Sequence, residues 1–268
     1  MRLENRTAIV TGGAGGIGRA IAIGFAREGA NVIIASPRDP GKWTPDGLPV
    51  TEVIRRAGGK AELIPTDAAS WDSIDACVSR TVDKYGRLDI MVMSAAVFNA
   101  TNILDTTEED FDALMAVNLR GMFLCSKRAI QQMIKQEPDK VGVRGRLIPV
   151  TSQHGMVGPP NFFAYAVAKG GTIQLTRQLA TDYVKHGILV NAVAPGRILT
   201  GTHPGEGYGI APEAQGLEGG LDYSRSRTPY PRLGEVEDCV GAAVYLASDE
   251  CTFVSGINLL VDGGWMSY

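Results

Sequence analysis

Short apolar runs alternate along the chain with longer segments in which apolar residues recur every three or four positions. The short runs predict strands, and the longer spacing predicts helices that each bury one face. Strands are predicted at residues 7–10, 31–35, 61–65, 90–93, 146–150, 189–194 and 258–261. Helices are predicted at residues 17–28, 51–57, 70–85, 107–135, 161–184 and 235–248. This alternation predicts one α/β domain over residues 1–268, with a doubly wound, seven-stranded parallel sheet and helices on both faces.

One long stretch, residues 197–234, shows neither periodicity and contains several prolines and many glycines. It follows the predicted strand 189–194. Because a loop of that length in a compact domain usually serves function, we expect a lid over the substrate.

A glycine-rich turn, Thr11-Gly-Gly-Ala-Gly-Gly-Ile-Gly18, lies between the first predicted strand and the first predicted helix. In that context Gly12 suits a tight turn, and Gly16 leaves no side chain between the backbone and a pyrophosphate. Gly18 lets the helix pack close to the strand. The N-terminus of the helix offers free N–H groups and a partial positive charge. The motif therefore predicts a nucleotide-binding site.

Tyr165 and Lys169 lie four residues apart in a predicted helix, so both side chains occupy one helix face. Their neighbours are almost all alanine or glycine, which favours the close approach of another group. Ser152 follows the predicted strand 146–150, and strand ends are where α/β enzymes place reactive groups. The alternative is a solvated Tyr–Lys pair and a serine in an ordinary turn.

Composition narrows the class of protein. The formal net charge of −3 over 268 residues argues against nucleic acid as the main partner. Four scattered cysteines predict free thiols in a reducing compartment, and three histidines show no metal-ligand spacing. The sequence shows no signal peptide and no apolar run of membrane-spanning length. We expect a cytoplasmic protein with a small-molecule substrate, no membrane partner and no metal.

The motifs also occur in a recognisable order. They are Thr11-Gly12-x-x-x-Gly16-x-Gly18, Asp67, Asn118, Ser152, Tyr165-x-x-x-Lys169, Asn191-Ala-Val-Ala-Pro195-Gly196 and Val261-Asp-Gly-Gly264. Together they resemble the short-chain dehydrogenase/reductase family over essentially the whole chain. The resemblance implies a single-domain Rossmann fold, an NAD(P)-dependent oxidoreductase that acts on CH–OH groups, and a homotetramer.

The resemblance implies a role for each polar residue of the set. Tyr165 is the expected acid/base. Lys169 is expected to lower the pKa of that phenol, together with the positive charge of oxidised nicotinamide, and to hold the nicotinamide ribose. Ser152 is expected to hydrogen-bond the reacting oxygen. Asn118 is expected to interrupt its helix and bind a water that relays protons from Lys169.

The residues after the second strand bear on the choice of cofactor. Family members that prefer NAD normally have an aspartate where this chain has Ser36. Without that carboxylate, Ser36 and Arg38 can bind a ribose phosphate, so NADP is favoured and NAD is the alternative. Gly15, where phosphate-binding members carry a basic residue, and the nearby Asp39 weigh against NADP.

Further cofactor contacts follow from the same resemblance. Asp67 is expected to receive the adenine amino group, with Ala68 beside the ring. The full set of expected cofactor-binding residues is Gly12, Gly15, Gly16, Ile17, Gly18, Ser36, Arg38, Asp67, Ala68, Ala95, Tyr165, Lys169, Pro195, Gly196, Ile198 and Thr200. One segment departs from the family pattern, because Met93-Ser-Ala-Ala96 stands where Asn-Asn-Ala-Gly is usual.

The expected substrate residues are Gln153, His154, Phe163 and Arg197. Gln153 and His154 offer polar groups beside the reactive site, which suits a polyhydroxylated ligand, and the Ser-x-His arrangement resembles sugar and polyol dehydrogenases. Arg197 also permits an acidic sugar derivative. The alternatives are a reductase of ketoacyl thioesters or other carbonyls and, from another class, a non-catalytic nucleotide-binding sensor.

Overall fold

A computed structural model describes residues 1–38, 47–200 and 220–268. The strands of its central sheet are β1 (Thr7–Thr11), β2 (Asn31–Ala35), β3 (Lys60–Ile64), β4 (Ile90–Met93), β5 (Gly145–Pro149) and β6 (Ile188–Val190). All are parallel, in the order β3-β2-β1-β4-β5-β6. The order reverses between β1 and β4. In open α/β sheets, the crevice at the carboxyl ends of the strands at such a point is where ligands bind.

The prediction of seven strands in one sheet is wrong in detail, because the predicted strand 189–194 is interrupted at Asn191. After the interruption comes β7 (Ala192–Pro195), which pairs in parallel with the last strand, β10 (Asn258–Val261). An isolated bridge between Val150 and Val193 joins this pair to the end of β5. The result is a six-stranded sheet with a two-stranded extension.

The side chain of Asn191 accounts for the interruption. Its Nδ2 donates to the Val254 carbonyl at 2.7 Å, and its Oδ1 accepts from the Ile257 amide at 3.2 Å. The asparagine thus holds the turn that leads into β10, and the sheet ladder gives way at this residue.

Helices cover both faces of the sheet. They are α1 (Gly16–Arg27), α2 (Val50–Arg56), α3 (Trp71–Tyr85), α4 (Glu108–Met115), α5 (Gly121–Met133), α6 (Phe163–Tyr183), α7 (Gly220–Arg227) and α8 (Asp238–Ala247). Successive strand residues point to opposite faces, so Val10 of β1 packs with α1, α2 and α8, whereas Ile9 packs with α3, α5 and α6. These two apolar layers are the cores that the alternating pattern predicts.

The predicted helix 107–135 is divided into three pieces. Thr107 caps the N-terminus of α4, because its Oγ1 accepts from the Asp110 amide at 3.1 Å. A π-helical turn, Ala116–Arg120, separates α4 from α5. Such turns often mark functional sites, and this one carries the fully buried Asn118.

The stretch 197–234 contains more regular structure than its sequence predicts. Residues 201–219 lie outside the described part, as does Asp39. On either side of residues 201–219 the chain forms β8 (Ile198–Leu199) and β9 (Gly234–Glu235), which pair in parallel, and α7. The two ends of the expected lid are therefore tied together. Within the described residues, no helix combines the length and apolar character needed to cross a bilayer.

Candidate active site

The predicted site residues converge on one edge of the sheet. The glycine turn follows β1, Ala95 follows β4, Ser152 follows β5, and Pro195 ends β7. Because parallel strands end at a common edge, residues far apart in sequence meet there. The structure brings Thr200 to the glycine turn as well, since a side chain added at Gly16 would place its Cβ 3.6 Å from Thr200 Cγ2.

The glycine turn fits closely against its surroundings. Gly12 has φ = +66°, and a Cβ there would lie 2.8 Å from the Ala95 backbone. A Cβ at Gly18 would lie 2.5 Å from the Gly12 carbonyl oxygen. Only glycine fits at either position. The turn therefore lets α1 pack close to β1, as the motif predicts.

The N-terminus of α1 has room and hydrogen-bonding capacity for a phosphate. Gly15 precedes the helix in an extended conformation, no side chain caps it, and no acidic residue lies in the first turn. A Cβ at Gly15 would meet no atom of the described residues within 4 Å, so these residues leave the space above the turn open. Uncapped helical N–H groups facing open space suit the pyrophosphate of a dinucleotide, with Ile17 beginning the first turn.

The expected adenosine residues lie at the ends of β2 and β3. Ser36 is buried directly after β2, and Arg38 is exposed. The exposed Asp67 follows β3, where its Oδ1 accepts from the Ala69 amide at 2.9 Å. The Ala68 carbonyl lies against α5, because a Cβ at Gly121 would come within 2.8 Å of it. These positions fit an adenosine that lies across the ends of the two strands.

Ser152 and Tyr165 lie side by side at the centre of this edge. The Ser152 hydroxyl is hydrogen-bonded to the Tyr165 phenol and also accepts from the His154 amide at 3.1 Å. Tyr165 occupies the first turn of α6, and Ser152 is largely buried. Burial raises the pKa of Tyr165, and the hydrogen bond with Ser152 acts in the opposite direction.

Lys169 lies one turn along α6 and is almost completely buried. Its Nζ donates to the Val150 carbonyl at 2.8 Å and lies 5.6 Å from the centroid of the Tyr165 ring. Burial lowers the pKa of Lys169 to about 8. From the protein's own groups, burial outweighs the hydrogen bond with Ser152 and holds the pKa of Tyr165 above its ordinary value. The expected joint effect of Lys169 and oxidised nicotinamide on that pKa stays a prediction.

Asn118 makes a different contact from the predicted one. Its Nδ2 donates to the Val97 carbonyl, and its Oδ1 accepts from the Val97 amide, both at 2.8 Å. The side chain thereby holds the segment after β4, beside Tyr165. The expected interruption of the helix is present as the π-helical turn, and the expected water relay stays a prediction.

Gln153, His154 and Arg197 form a polar group next to Ser152. Burial and the charge of Arg197 lower the pKa of His154 to about 4, so its imidazole is neutral at physiological pH. Gln153 Nε2 lies 3.4 Å from His154 Nε2, while Gln153 Oε1 is buried without a hydrogen-bond partner in the described chain. Arg197 Nε is also buried without a hydrogen-bond partner among the described residues, and burial lowers the pKa of Arg197. Unsatisfied buried groups of this kind suit a polar ligand.

Phe162 and Phe163, both expected at the wall beside the reacting oxygen, have different neighbours. Phe163 stacks on Phe111 of α4, with ring centroids 6.2 Å apart, so its ring is taken up by packing. Phe162 meets the rings of Phe98 and His154, each at 5.1 Å between centroids. Phe162 is the N-cap of α6 and Phe163 its first residue, so their side chains point in different directions. Composition alone does not predict which of the two faces the site.

Trp265 is a site neighbour that the sequence argument missed. It follows β10 in a short 3₁₀ turn, is largely buried, and meets the His154 ring at 6.5 Å between centroids. The guanidinium of Arg227 from α7 lies over the Trp265 ring, 4.8 Å from its centroid. The signal available was a tryptophan directly after Val261-Asp-Gly-Gly264, at the carboxyl end of a strand.

The arrangement can hold a dinucleotide and move a proton. A phenol hydrogen-bonded to a serine, with a buried amine below it, can exchange a proton with a substrate oxygen. Within the described residues, no group of three or more histidine, cysteine or carboxylate side chains could hold a metal ion. The four cysteines are all buried as free thiols.

Comparisons with known proteins agree with this geometry. The profile of the family described as Enoyl-(Acyl carrier protein) reductase matches residues 12–266. An uncharacterized oxidoreductase from Thermotoga maritima is 39% identical over 266 residues, 98% of each chain. The sorbitol dehydrogenase of Cereibacter sphaeroides is 34% identical over 271 residues, 100% of each chain.

A solved structure shares the architecture. It is a provisionally named NAD(P) dependent gluconate 5-dehydrogenase from Beutenbergia cavernae, with bound NADP at low occupancy. It superimposes with a TM-score of 0.85 at 31% identity, over 99% of this chain and 98% of that one.

Proposed function

The chain belongs to the short-chain dehydrogenase/reductase family and is an NAD(P)-dependent oxidoreductase, and from this premise we propose that it oxidises a sugar or polyol at a secondary alcohol, or reduces the corresponding carbonyl. The observation that carries the proposal is the hydrogen-bonded pair of Ser152 and Tyr165, with Lys169 one helical turn away, beside the glycine turn. A bound nicotinamide supplies or accepts the hydride.

Each residue then has a defined task. Tyr165 takes the alcohol proton during oxidation and returns it during reduction, while the Ser152 hydroxyl donates to the charge that develops on the reacting oxygen. Lys169 stabilises the phenolate electrostatically from below the ring. Burial raises the pKa of Tyr165, so Lys169 and the positive charge that an oxidised nicotinamide would add both act against burial to favour ionisation.

We further propose NADP as the preferred cofactor. The support is the position of Ser36 and Arg38 directly after β2, where a ribose phosphate meets a hydroxyl and an exposed guanidinium instead of a carboxylate. The neighbour from Beutenbergia cavernae holds NADP. Comparison of kcat/KM with NADP and with NAD tests this choice, and a large preference for NAD overturns it.

The substrate proposal rests on Gln153, His154 and Arg197. A neutral imidazole and an unsatisfied amide oxygen can accept hydrogen bonds from hydroxyl groups. Arg197 adds a partly buried cation without an ion pair among the described residues, which suits the carboxylate of an acidic sugar derivative. Two of the similar proteins, the sorbitol and gluconate dehydrogenases, are named for polyhydroxylated substrates.

A panel of polyols, aldoses, sugar acids and ketones, each with NAD and NADP, tests the proposal by the absorbance of the reduced cofactor. Turnover of a polyhydroxylated compound above that of simple ketones and acyl thioesters is the expected result. Preference for a ketoacyl thioester would instead support the second candidate, since another similar protein, from Thermotoga maritima and 34% identical over 265 residues, is named a 3-oxoacyl-[acyl-carrier-protein] reductase. Hydride transfer to none of these compounds would favour a nucleotide-binding sensor.

We also propose that the enzyme assembles as a homotetramer. Phe123 on α5, Val167 on α6 and Leu260 on β10 are exposed apolar side chains on separate elements. Exposed apolar residues on several elements are expected where copies of a chain pack against one another. Sedimentation equilibrium tests the mass, and a monomer at micromolar concentration contradicts the proposal.

A further inference from the structure

Arg227, the last residue of α7, is clamped by two aromatic rings from the segment after β10. Its guanidinium lies 4.8 Å from the Trp265 ring centroid and 5.0 Å from the Tyr268 ring centroid. Arg227 Nη2 also donates to the Tyr268 backbone oxygen at 3.3 Å, and the Tyr268 hydroxyl donates to the Arg227 carbonyl at 3.1 Å. Two cation–π contacts and two reciprocal hydrogen bonds are more than a chance surface encounter provides.

The aromatic side of this clamp is itself held firmly. Asp262 accepts from the amides of Gly264 at 2.9 Å and Met266 at 2.8 Å, which shapes the turn that presents Trp265. The Tyr230 amide donates to the Gly263 carbonyl at 3.1 Å, so the chain after α7 is tied to the same turn. The clamp therefore joins two segments that are distant in sequence into one unit.

Trp265 connects this unit to the reactive centre. Its ring meets the His154 ring at 6.5 Å between centroids, and the His154 ring meets the Tyr165 ring at the same separation. His154 is thus flanked by Phe162 on one side and Trp265 on another. Nothing in the proton-transfer mechanism requires Trp265 or Arg227.

From this geometry we propose that Trp265 forms the wall of the substrate pocket beside His154, and that Arg227 is the positioning residue that sets the orientation of that wall. Trp265 thereby limits substrate length, and Arg227 controls substrate affinity without touching the reacting atoms. The inference rests on the proposed function for its substrate class, a polyhydroxylated compound.

The test compares Arg227→Met, which keeps an apolar stem but loses the cation, with Arg225→Met as matched control. Arg225 lies on the same helix, is exposed, and pairs with Asp222. Arg227→Met is expected to raise the KM for sorbitol or gluconate about tenfold, with kcat and cofactor KM nearly unchanged. Arg225→Met is expected to leave all three unchanged.

Trp265→Ala is expected to raise the ratio of kcat/KM for sorbitol over erythritol by about tenfold, because a shorter wall admits the longer chain. Trp265→Phe keeps an aromatic ring and is expected to shift the ratio less; it serves if the alanine variant does not fold. The clamp only stabilises the fold if both variants have a lower melting temperature, Arg227→Met keeps wild-type KM values, and Trp265→Ala keeps the wild-type ratio of kcat/KM for sorbitol over erythritol.

Calorimetric titration of sorbitol and gluconate into the protein saturated with oxidised cofactor separates this inference from the proposed function. If the wild type binds but does not turn over, the proposed reaction fails, and the clamp is still tested by weaker binding to Arg227→Met. Binding of equal strength by the wild type and Arg227→Met overturns the clamp alone. Binding of neither compound by the wild type overturns both.

Discussion

The side-chain amide of Asn118 pairs with both backbone groups of Val97, donating to its carbonyl and accepting from its amide at 2.8 Å each. This pair joins the π-helical turn Ala116–Arg120 to the segment after β4. The contact is wholly buried at Asn118, so it contributes to stability as well as to position.

Asn118→Ala is expected to destabilise the protein and to lower turnover. The substitution leaves two backbone groups without partners, at a cost of about 1–3 kcal/mol for each that stays buried. Urea unfolding measures the free energy, and steady-state kinetics measure kcat. Asn118→Asp keeps an acceptor for the Val97 amide but places a buried carboxylate oxygen against the Val97 carbonyl, so it should lose at least as much stability as the alanine variant. Equal, wild-type stability in both variants would contradict the role of this pair.

Tyr165→Phe is expected to lower kcat by about 10²–10⁴-fold, because proton transfer by the phenol is lost while the ring remains. The ring still packs against Phe98, with which it makes an edge contact at 4.9 Å. Cofactor affinity, measured by fluorescence titration, should change little. Near-normal turnover in this variant would falsify the assignment of Tyr165 as the acid/base.

The buried Lys169 predicts a pH dependence of stability. Its pKa is about 8 in the folded protein and near 10.5 when exposed, so between these values the unfolded chain binds more protons. The free energy of unfolding therefore gains up to about 1.4 kcal/mol per pH unit from this group as pH rises through that window, and the burial penalty is fully present below it.

The measurement is urea unfolding of the wild type and Lys169→Met from pH 7 to 10. Buried cysteines with raised pKa values oppose the gain above about pH 9, so the difference between the two proteins is the useful quantity. That difference should grow in favour of the wild type with rising pH. A difference that stays constant shows that Lys169 is not protonated differently in the two states.

Arg197→Ala is expected to raise the pKa of His154 from about 4, since the nearby guanidinium is one of its two causes. The value should stay below 6.5, because burial is the larger cause and remains. Imidazole NMR titration measures this shift, with His154→Asn to assign the resonance.

Arg197→Ala should also raise the KM for gluconate more than the KM for sorbitol. An unchanged KM for both refutes contact of Arg197 with an anionic group.

Ser36→Asp is expected to reverse the cofactor preference. A carboxylate at the end of β2 repels a ribose phosphate and can accept hydrogen bonds from ribose hydroxyls, so kcat/KM with NADP should fall at least about tenfold while that with NAD is kept. Arg38→Ala provides the companion measurement, because it removes the cation without adding an anion. Unchanged NADP kinetics in both variants would place the phosphate elsewhere.

Strong local patterns made much of the fold predictable. The predicted bounds of β2, β4 and β10 agree with the structure, because each is a short, mainly apolar run that ends directly before a polar residue. The glycine turn and the Tyr165–Lys169 pair are likewise local patterns, and the structure places them together at one edge. Their catalytic roles stay predictions.

The features that escaped prediction depend on distant contacts. The periodicity of residues 107–135 continues through the π-helical turn, and only the contact of Asn118 with Val97 distinguishes that turn. The pairing of β8 with β9 involves two residues on each side, too few for any periodic pattern. The contact of Arg227 with Trp265 joins the end of α7 to the 3₁₀ turn after β10, which no local pattern relates.

The pairing of Ile198–Leu199 with Gly234–Glu235 has an evolutionary consequence. The paired strands β8 and β9 hold the two ends of residues 200–233 together. The segment between them can therefore change in length at an entropic cost of loop closure that grows only logarithmically with length. Ser152, Tyr165 and Lys169 would be kept while the segment between β8 and β9 changes. Relatives with different substrate specificities should differ most in the sequence and length of the segment between those two short strands.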